Sequence, residues 1–245
     1  MTKDQMRREI RSRLYALGAI RYPDAGRGVP MFAGVEEATH LLRSLRIWRQ
    51  ARSVYIGLAP STLPLRRAAL EEGKIVYTTL PGLRDKRCFL ELSRDRLGRN
   101  YLRAATRRGA VRYGTRVTPL EADVLDLFIY GSIAVALDGG RLGAGGGWDD
   151  LSYGLFRAAR RAVDFTPVVT LVHNEQLLSV KIPMFLHDVP TDVVVTPTNV
   201  FSTITVYSRP TGILWRCITD AQRRRIPALD PNWMMPSPAS TPHGR

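Results

Sequence analysis

Apolar side chains at Met6, Ile10, Leu14 and Leu17, spaced four, four and three apart, predict an amphipathic helix over Thr2–Leu17 with basic residues on its other faces. A Pro/Gly-rich loop is expected from Tyr22 to Gly34. Helical periodicity returns over Val35–Gln50 through Ala38, Leu41, Leu42, Leu45 and Trp48. A short β-rich run follows at Ser53–Ala59, then a helix from Ser61 stopped at Gly73, and a strand at Lys74–Leu80. The second half alternates again. A strand is expected at Val124–Ala136, then a glycine loop, a helix over Trp148–Val163, and strands at Pro167–Val172, Asp192–Thr196 and Thr203–Tyr207. The strands are apolar throughout rather than on one face, which predicts a mostly parallel sheet covered on both sides: one three-layer α/β/α domain over residues 1–220. Residues 221–245, with Arg223–Arg225 and five prolines, read as a partly mobile tail that Trp233 and the adjacent methionines could anchor. No repeat with a period of 20–50 residues is visible.

Composition narrows the function. The 245 residues carry 36 Lys+Arg against 22 Asp+Glu, a net charge of +14. Such an excess suits an anionic partner (nucleotide, polyglutamate, nucleic acid or membrane surface), and charge alone does not choose among them. Nearly all the basic residues are Arg, a bias that genome composition explains as readily as ligand chemistry. Cys88 and Cys217 have no CxxC or Cys/His spacing, which argues against a disulfide framework and structural zinc. The longest apolar run, Leu127–Leu137, is far shorter than the ~20 residues of a membrane-spanning helix. Charges throughout Met1–Arg13 leave no apolar core for a signal peptide, so a cytoplasmic location is expected.

The most informative stretch is Asp138–Asp150, DGGRLGAGGGWDD, between an apolar strand and an amphipathic helix. Glycines let phosphate oxygens approach main-chain N–H groups, and the following helix adds unsatisfied donors and the positive end of its dipole. Arg141 offers a fork of donors suited to phosphate. Asp149 and Asp150 either cap the helix or hold a hard cation such as Mg²⁺ beside that phosphate. No Gly-Lys-Ser/Thr follows and no GxGxxG is formed, so neither usual nucleotide signature applies. A plain glycine connection with Asp150 as a helix cap is the other reading. No GxSxG, HExxH or Cys/His dyad is present.

Arg141–Asp150 resembles the RLGxGxGxxD signature of 5-formyltetrahydrofolate cyclo-ligases, also called methenyltetrahydrofolate synthetases, and leans toward their synthetase-domain-containing side branch through Asp150-Leu-Ser-Tyr153. Supporting segments run in order: Lys3 and Arg7, Val29–Gly34, Gly73-Lys74, His173–Gln176, Ile182-Pro183, His187-Asp188 and Val195–Pro197. The resemblance implies a NagB/RpiA/CoA-transferase-like fold and ATP- and Mg²⁺-dependent conversion of 5-formyltetrahydrofolate to 5,10-methenyltetrahydrofolate. Phosphoryl transfer to the formyl oxygen would precede ring closure by the neighbouring nitrogen. It further implies that Lys3 and Arg7 reach the ATP phosphates, that Arg141, Gly143, Gly145 and Gly147 wrap them with Trp148 near the nucleotide, and that Asp150 and Asp188 bind Mg²⁺. Arg141 is the residue expected to act in catalysis. Read without the resemblance, Lys3 and Arg7 are a solvated helix face and His187-Asp188 a turn held by an Asp side chain.

The sequence departs from the family pattern at three places. Gly146 stands where Lys or Glu is common, Asp149 where an aromatic usually precedes the motif Asp, and Ala59–Pro64 holds no carboxylate to face a folate. The alternative is therefore a noncatalytic nucleotide- or RNA-binding protein on the same fold, with Arg-rich patches at 43–49, 103–108 and 223–225. Arg141→Ala and Asp150→Asn are expected to weaken Mg·ATP binding without unfolding, both groups facing solvent or ligand.

Overall fold

The computed structural model describes residues 1–21 and 28–230. Residues 22–27 of the loop expected over 22–34, and Trp233 and its methionine neighbours with the anchoring role assigned to them, lie outside the described residues. In chain order come helices α1 (Lys3–Ala16), α2 (Val35–Ser44) and α3 (Arg46–Gln50), strand β1 (Ser53–Ile56), α4 (Leu63–Glu71) and β2 (Ile75–Thr79). Then follow β3 (Phe89–Leu92), three short helices α5 (Arg94–Leu97), α6 (Tyr101–Ala104) and α7 (Arg107–Tyr113), and β4 (Thr115–Val117). The second half comprises β5 (Leu127–Gly131), β6 (Ala134–Ala136), β7 (Arg141–Leu142), α8 (Trp148–Ala158), β8 (Val168–Leu171), β9 (Leu177–Leu178), β10 (Val193–Val195), β11 (Val200–Ser202) and α9 (Asp220–Arg225).

Eight strands form one sheet in the order β11-β10-β8-β5-β1-β2-β3-β4. The five central strands, β10 to β2, are parallel, and β11, β3 and β4 join antiparallel at the two edges. Successive residues of the central strands feed opposite cores. Val54, Ile56, Leu127 and Ile129 pack under α2 and α4, whereas Tyr55, Phe128 and Tyr130 pack against Tyr153 and Phe156 of α8. Each fully buried aliphatic side chain here contributes about 1.5–3 kcal/mol, which is why the sheet is apolar on both faces. The three-layer α/β/α expectation is met.

Several boundaries differ. The helix expected over Val35–Gln50 breaks at Leu45, whose ψ of 146° is extended. Val124–Ala136 is not one strand. Gln176 donates to the carbonyls of both Ser132 (2.9 Å) and Ile133 (3.0 Å), so β5 ends and β6 joins a second sheet, β7-β6-β9. Thr203–Tyr207 is not a strand; the edge pairing falls on β11 just before it. Beyond residue 220, Ile226 and Leu229 are 1% and 2% exposed and join the core beneath α8.

The small sheet matters for what it carries. Met6, Ile10 and Leu14 of α1 bury against Ala134, Ala136, Leu142 and Ile182, docking the amphipathic helix where its first turn faces the glycine loop. Thr2 and Gln5 close a capping box at that end (Thr2 N to Gln5 Oε1, 2.7 Å; Gln5 N to Thr2 Oγ1, 3.2 Å), so the start of α1 is held rather than frayed.

Both cysteines are free thiols. Burial pushes the Cys88 thiol up to about 12, while Cys217 is exposed. A thiol-reactive dye at pH 8 should therefore modify one thiol quickly in the native protein and the second only on addition of denaturant. Two fast equivalents would show that β3 is not packed as described. Among the described residues no helix is long and apolar enough to cross a membrane.

Candidate functional site

The chain runs from β1 to β2 on one side of the sheet and from β5 to β8 on the other, so its order reverses between the adjacent strands β1 and β5. Side chains and loops diverge there, and a crevice opens beyond the strands' carboxyl ends. Here it is a cleft of about 590 Å³, a size suited to a small molecule. Its walls are the Leu58–Pro60 turn after β1, Thr79 to Gly82 after β2, the glycine loop with the start of α8, the first turn of α1, and Phe185, His187 and Asp188.

The glycine loop gets its shape from the strand before it. Pairing of Ala134 with Leu142 and Val135 with Arg141 draws Arg141 inside, and the backbone then turns outward at Gly143. Gly145 (φ 105°) and Gly147 (φ 66°), the residue capping α8, both occupy the left-handed region that a side chain disfavours. A Cβ at Gly145 would also stand 3.3 Å from the Arg7 guanidinium carbon.

Asp150 does not cap α8. Its Oδ1 accepts from Arg141 Nη2 at 2.6 Å and from the Val189 N–H at 3.0 Å, and Arg141 Nε donates to the Val189 carbonyl at 3.3 Å. Of the two surroundings expected for Arg141, solvent or ligand, the first is excluded. Its side chain is 2% exposed, lies 4.7 Å from the Tyr130 ring centroid, and has Asp149 Oδ2 at 3.8 Å from Nη1. Nη1 is buried and has no hydrogen-bond partner among the described residues.

Charges around it are mutually adjusted. Burial opposes the Arg141 charge, but Asp150 and Asp149 more than offset it and hold the guanidinium above its usual range. Burial pushes Asp149 up to about 6 against the pull of Arg141, with Asp150 pushing the same way as burial. Asp149 remains 30% exposed, and its Oδ1 stands 3.4 Å from the position of a Cβ on Gly57, beside the end of β1. Tyr55 keeps its proton, held well above its usual range by burial and by Asp149. Its hydroxyl bonds Thr79 Oγ1 at 2.6 Å, Thr79 bonds Ser152 Oγ at 2.8 Å, and Ser152 donates to the Trp148 carbonyl at 2.7 Å. That chain ties β1 and β2 to the first turn of α8.

From α1, Arg7 donates through Nε to the Gly143 carbonyl at 2.9 Å and through Nη1 to Asp4 at 2.5 Å. Lys3 pairs with Asp188 and lies 4.6 Å from the Phe185 ring centroid. Asp188 also holds its own turn, accepting the Phe185 N–H at 2.5 Å. No three His, Cys, Asp or Glu side chains among the described residues converge as a metal cage. The carboxylates of Asp150 and Asp188 both line the cleft, and Mg²⁺, which dehydrates reluctantly, needs only one or two carboxylates beside phosphate oxygens and water.

The sequence model of the 5-formyltetrahydrofolate cyclo-ligase family matches residues 2–197, most of the chain. The chain belongs to that family. Among curated relatives, a methenyltetrahydrofolate synthase domain-containing protein of Mus musculus is 31% identical over 205 residues, covering 82% of this chain and 55% of its own length. The Homo sapiens protein of that name is 29% identical, with 82% and 53% covered. The chain thus spans about half the length of the curated relatives it matches, and the side-branch resemblance holds. The solved structure of Aquifex aeolicus 5,10-methenyltetrahydrofolate synthetase shares the fold, with a TM-score of 0.51 and 19% identity over 85% of this chain and 96% of that one.

All nine residues singled out from the sequence, Lys3, Arg7, Arg141, Gly143, Gly145, Gly147, Trp148, Asp150 and Asp188, line the one cleft. The sequence reading missed Val189, whose main chain locks the Arg141–Asp150 pair, and Tyr55, hidden in an apolar strand. It also missed Arg66, and had Arg107 only within the basic patch at 103–108. Nothing local marks a main-chain partner, and an arginine among 36 Lys+Arg carries no signal of its own. His173 has a structural role, its Nδ1 accepting the Glu175 N–H at 3.3 Å.

Proposed function

We propose that this chain converts 5-formyltetrahydrofolate to 5,10-methenyltetrahydrofolate with consumption of ATP, using Mg²⁺. The observation that carries the reading is the unpartnered, buried Nη1 of Arg141 beneath a loop of bare main chain in a cleft at the reversal of strand order. A buried donor left unmade costs about 1–3 kcal/mol, and a phosphate oxygen would repay it.

In this reading the N–H groups of the glycine loop, Arg141, Lys3 and Arg7 grip the phosphates, with Trp148 beside the nucleotide. Asp150 and Asp188 hold the metal, which when bound supplies charge neutralisation of the phosphate oxygens. Lys3 exchanges Asp188 for phosphate as the site fills. The heterocycle lies against Leu58, Ala59 and Pro60. The carboxylate missing from Ala59–Pro64 is supplied from the facing wall by Asp149, which can accept from ring N–H groups. The formyl oxygen takes the γ-phosphoryl group as ADP leaves; the neighbouring nitrogen then attacks the formyl carbon and phosphate departs. The protein's contribution is alignment, exclusion of water and fixed positive charge rather than a nucleophile.

The absorbance of methenyltetrahydrofolate, followed with 5-formyltetrahydrofolate and Mg²⁺ in the presence and absence of ATP, tests the reading: product should form only with ATP, with one ADP per turnover. No product and no ADP would overturn it. Lys3→Gln, at a partly exposed position, should raise KM for ATP about tenfold and leave KM for the folate unchanged.

A further inference from the structure

One guanidinium in the cleft is not used by this scheme. Arg107, exposed on α7, lines the cleft from an element separate from those carrying Lys3, Arg7 and Arg141, alongside Pro81 and Gly82. Its side chain has no hydrogen-bond or ion-pair partner among the described residues. Arg103 and Arg108 beside it are likewise exposed and without a side-chain partner among the described residues, so positive charge continues along α6 and α7.

The backbone that presents Arg107 is held with unusual care. Thr106 caps α7 by accepting the Gly109 N–H at 3.0 Å, and Gly109 packs so tightly on the Arg103 carbonyl that no Cβ would fit there. Two residues before Arg107, the Ala105 carbonyl accepts from Nε of Arg66 at 2.8 Å. Arg66 is 1% exposed and has no carboxylate partner among the described residues. Its Nη1 donates to the Gly57 carbonyl and, at 2.6 Å, to Thr62 Oγ1, while both terminal nitrogens reach the Ala59 carbonyl at 3.4 Å. One buried fork therefore clamps the turn after β1 to the α6–α7 corner, two walls of the same cleft.

We infer that Arg107, on an element separate from the glycine loop and from α1, binds a carboxylate on the tail of the cleft's ligand, and that Arg66 is the positioning residue that sets Arg107 against the β1 turn. The inference rests on the proposed function: with a reduced folate as the substrate, the carboxylate is that of its glutamate. An exposed cation with a free path to solvent does not require burial of the ligand's tail, so the tail can extend past Arg107 toward Arg103 and Arg108.

The test titrates the full chain with 5-formyltetrahydrofolate and with its 5-formyltetrahydropteroate analogue, which lacks the glutamate. Arg107→Ala should weaken the first about tenfold and leave the second unchanged, the loss expected of one charge-assisted hydrogen-bonded pair. Arg107→Lys should recover part of that loss. Arg66→Lys, which keeps the charge but not the fork, should reproduce the glutamate-dependent loss; a merely structural defect would weaken both ligands alike. Equal losses for the two ligands in Arg107→Ala, or no loss, would overturn this inference alone. A wild-type chain that binds neither ligand would overturn the folate reading and this inference with it. Weakened binding of a single-stranded oligonucleotide by Arg107→Ala, with folate affinity unchanged, would assign the arginine to nucleic acid instead.

Discussion

Arg141→Met will destabilise the protein by about 3–5 kcal/mol and eliminate measurable nucleotide binding. Two carboxylates, Asp149 and Asp150, surround the guanidinium, and Asp150 takes its bond at 2.6 Å. Removing the cation leaves both acids in a low-dielectric pocket with only the Val189 N–H to answer Asp150. Breaking a buried pair from one side costs more than the pair was worth, because the stranded charge remains. The β6–β7 turn then loses the tie to Val189 that holds it against the 185–189 segment. Urea denaturation measures the first effect and calorimetric titration with Mg·ATP the second. Arg141→Lys should keep more of the stability than of the nucleotide affinity, since an ammonium answers the charge but cannot bond Asp150, Val189 and a phosphate together. A folded Arg141→Met protein with unchanged nucleotide affinity would remove Arg141 from the site.

Arg66→Met, a swap of similar volume, should cost about 3 kcal/mol. The wild-type cation is expensive: burial pulls its pKa down to about 9, with the neighbouring Arg67 also lowering it and Tyr55 opposing. Its donors are answered by the Gly57, Ala59 and Ala105 carbonyls and by Thr62 Oγ1. Methionine removes the charge, takes the side-chain donor from the Ala105 carbonyl at a cost of about 1–3 kcal/mol, and leaves the Gly57 carbonyl with Thr62 Oγ1 as its remaining side-chain donor. Relief of the desolvation cost offsets only part of that. Equilibrium unfolding of the variant, with native circular dichroism as the check on fold, decides it; stability equal to or above wild type would show that the clamp is dispensable.

Much of the architecture was legible because periodicity and burial are the same constraint seen twice. Met6, Ile10 and Leu14 recur at helical spacing because one face of α1 must meet the small sheet. The central strands are apolar on both faces because helices cover both. Residues 81–123 resisted reading: β3, β4 and three helices of four to seven residues are too short to show a period, and arginine occupies many of their positions. Thr203–Tyr207 has the β-branched composition of a strand, yet Ile204 and Val206 are exposed and the pairing falls three residues earlier. Composition favours an extended backbone without choosing its partner.

The phosphate loop was legible for a different reason. A run of glycines between an apolar strand and a helix restricts the backbone locally, so its shape and its suitability for an anion follow from the residues themselves. Whether Arg141 faces inward, which carbonyls Arg66 answers, and that Lys3 meets Asp188 across 185 positions depend on where remote segments come to rest. Local torsional preference and apolar spacing are properties of neighbours in the chain, and the amino acids alone determined them: helices, central strands and a bare loop ready for phosphate. The cleft itself, its buried guanidinium with one donor unspent and the second arginine on its far wall, was decided only when the sheet assembled, because the electrostatics of a buried group are set by everything around it.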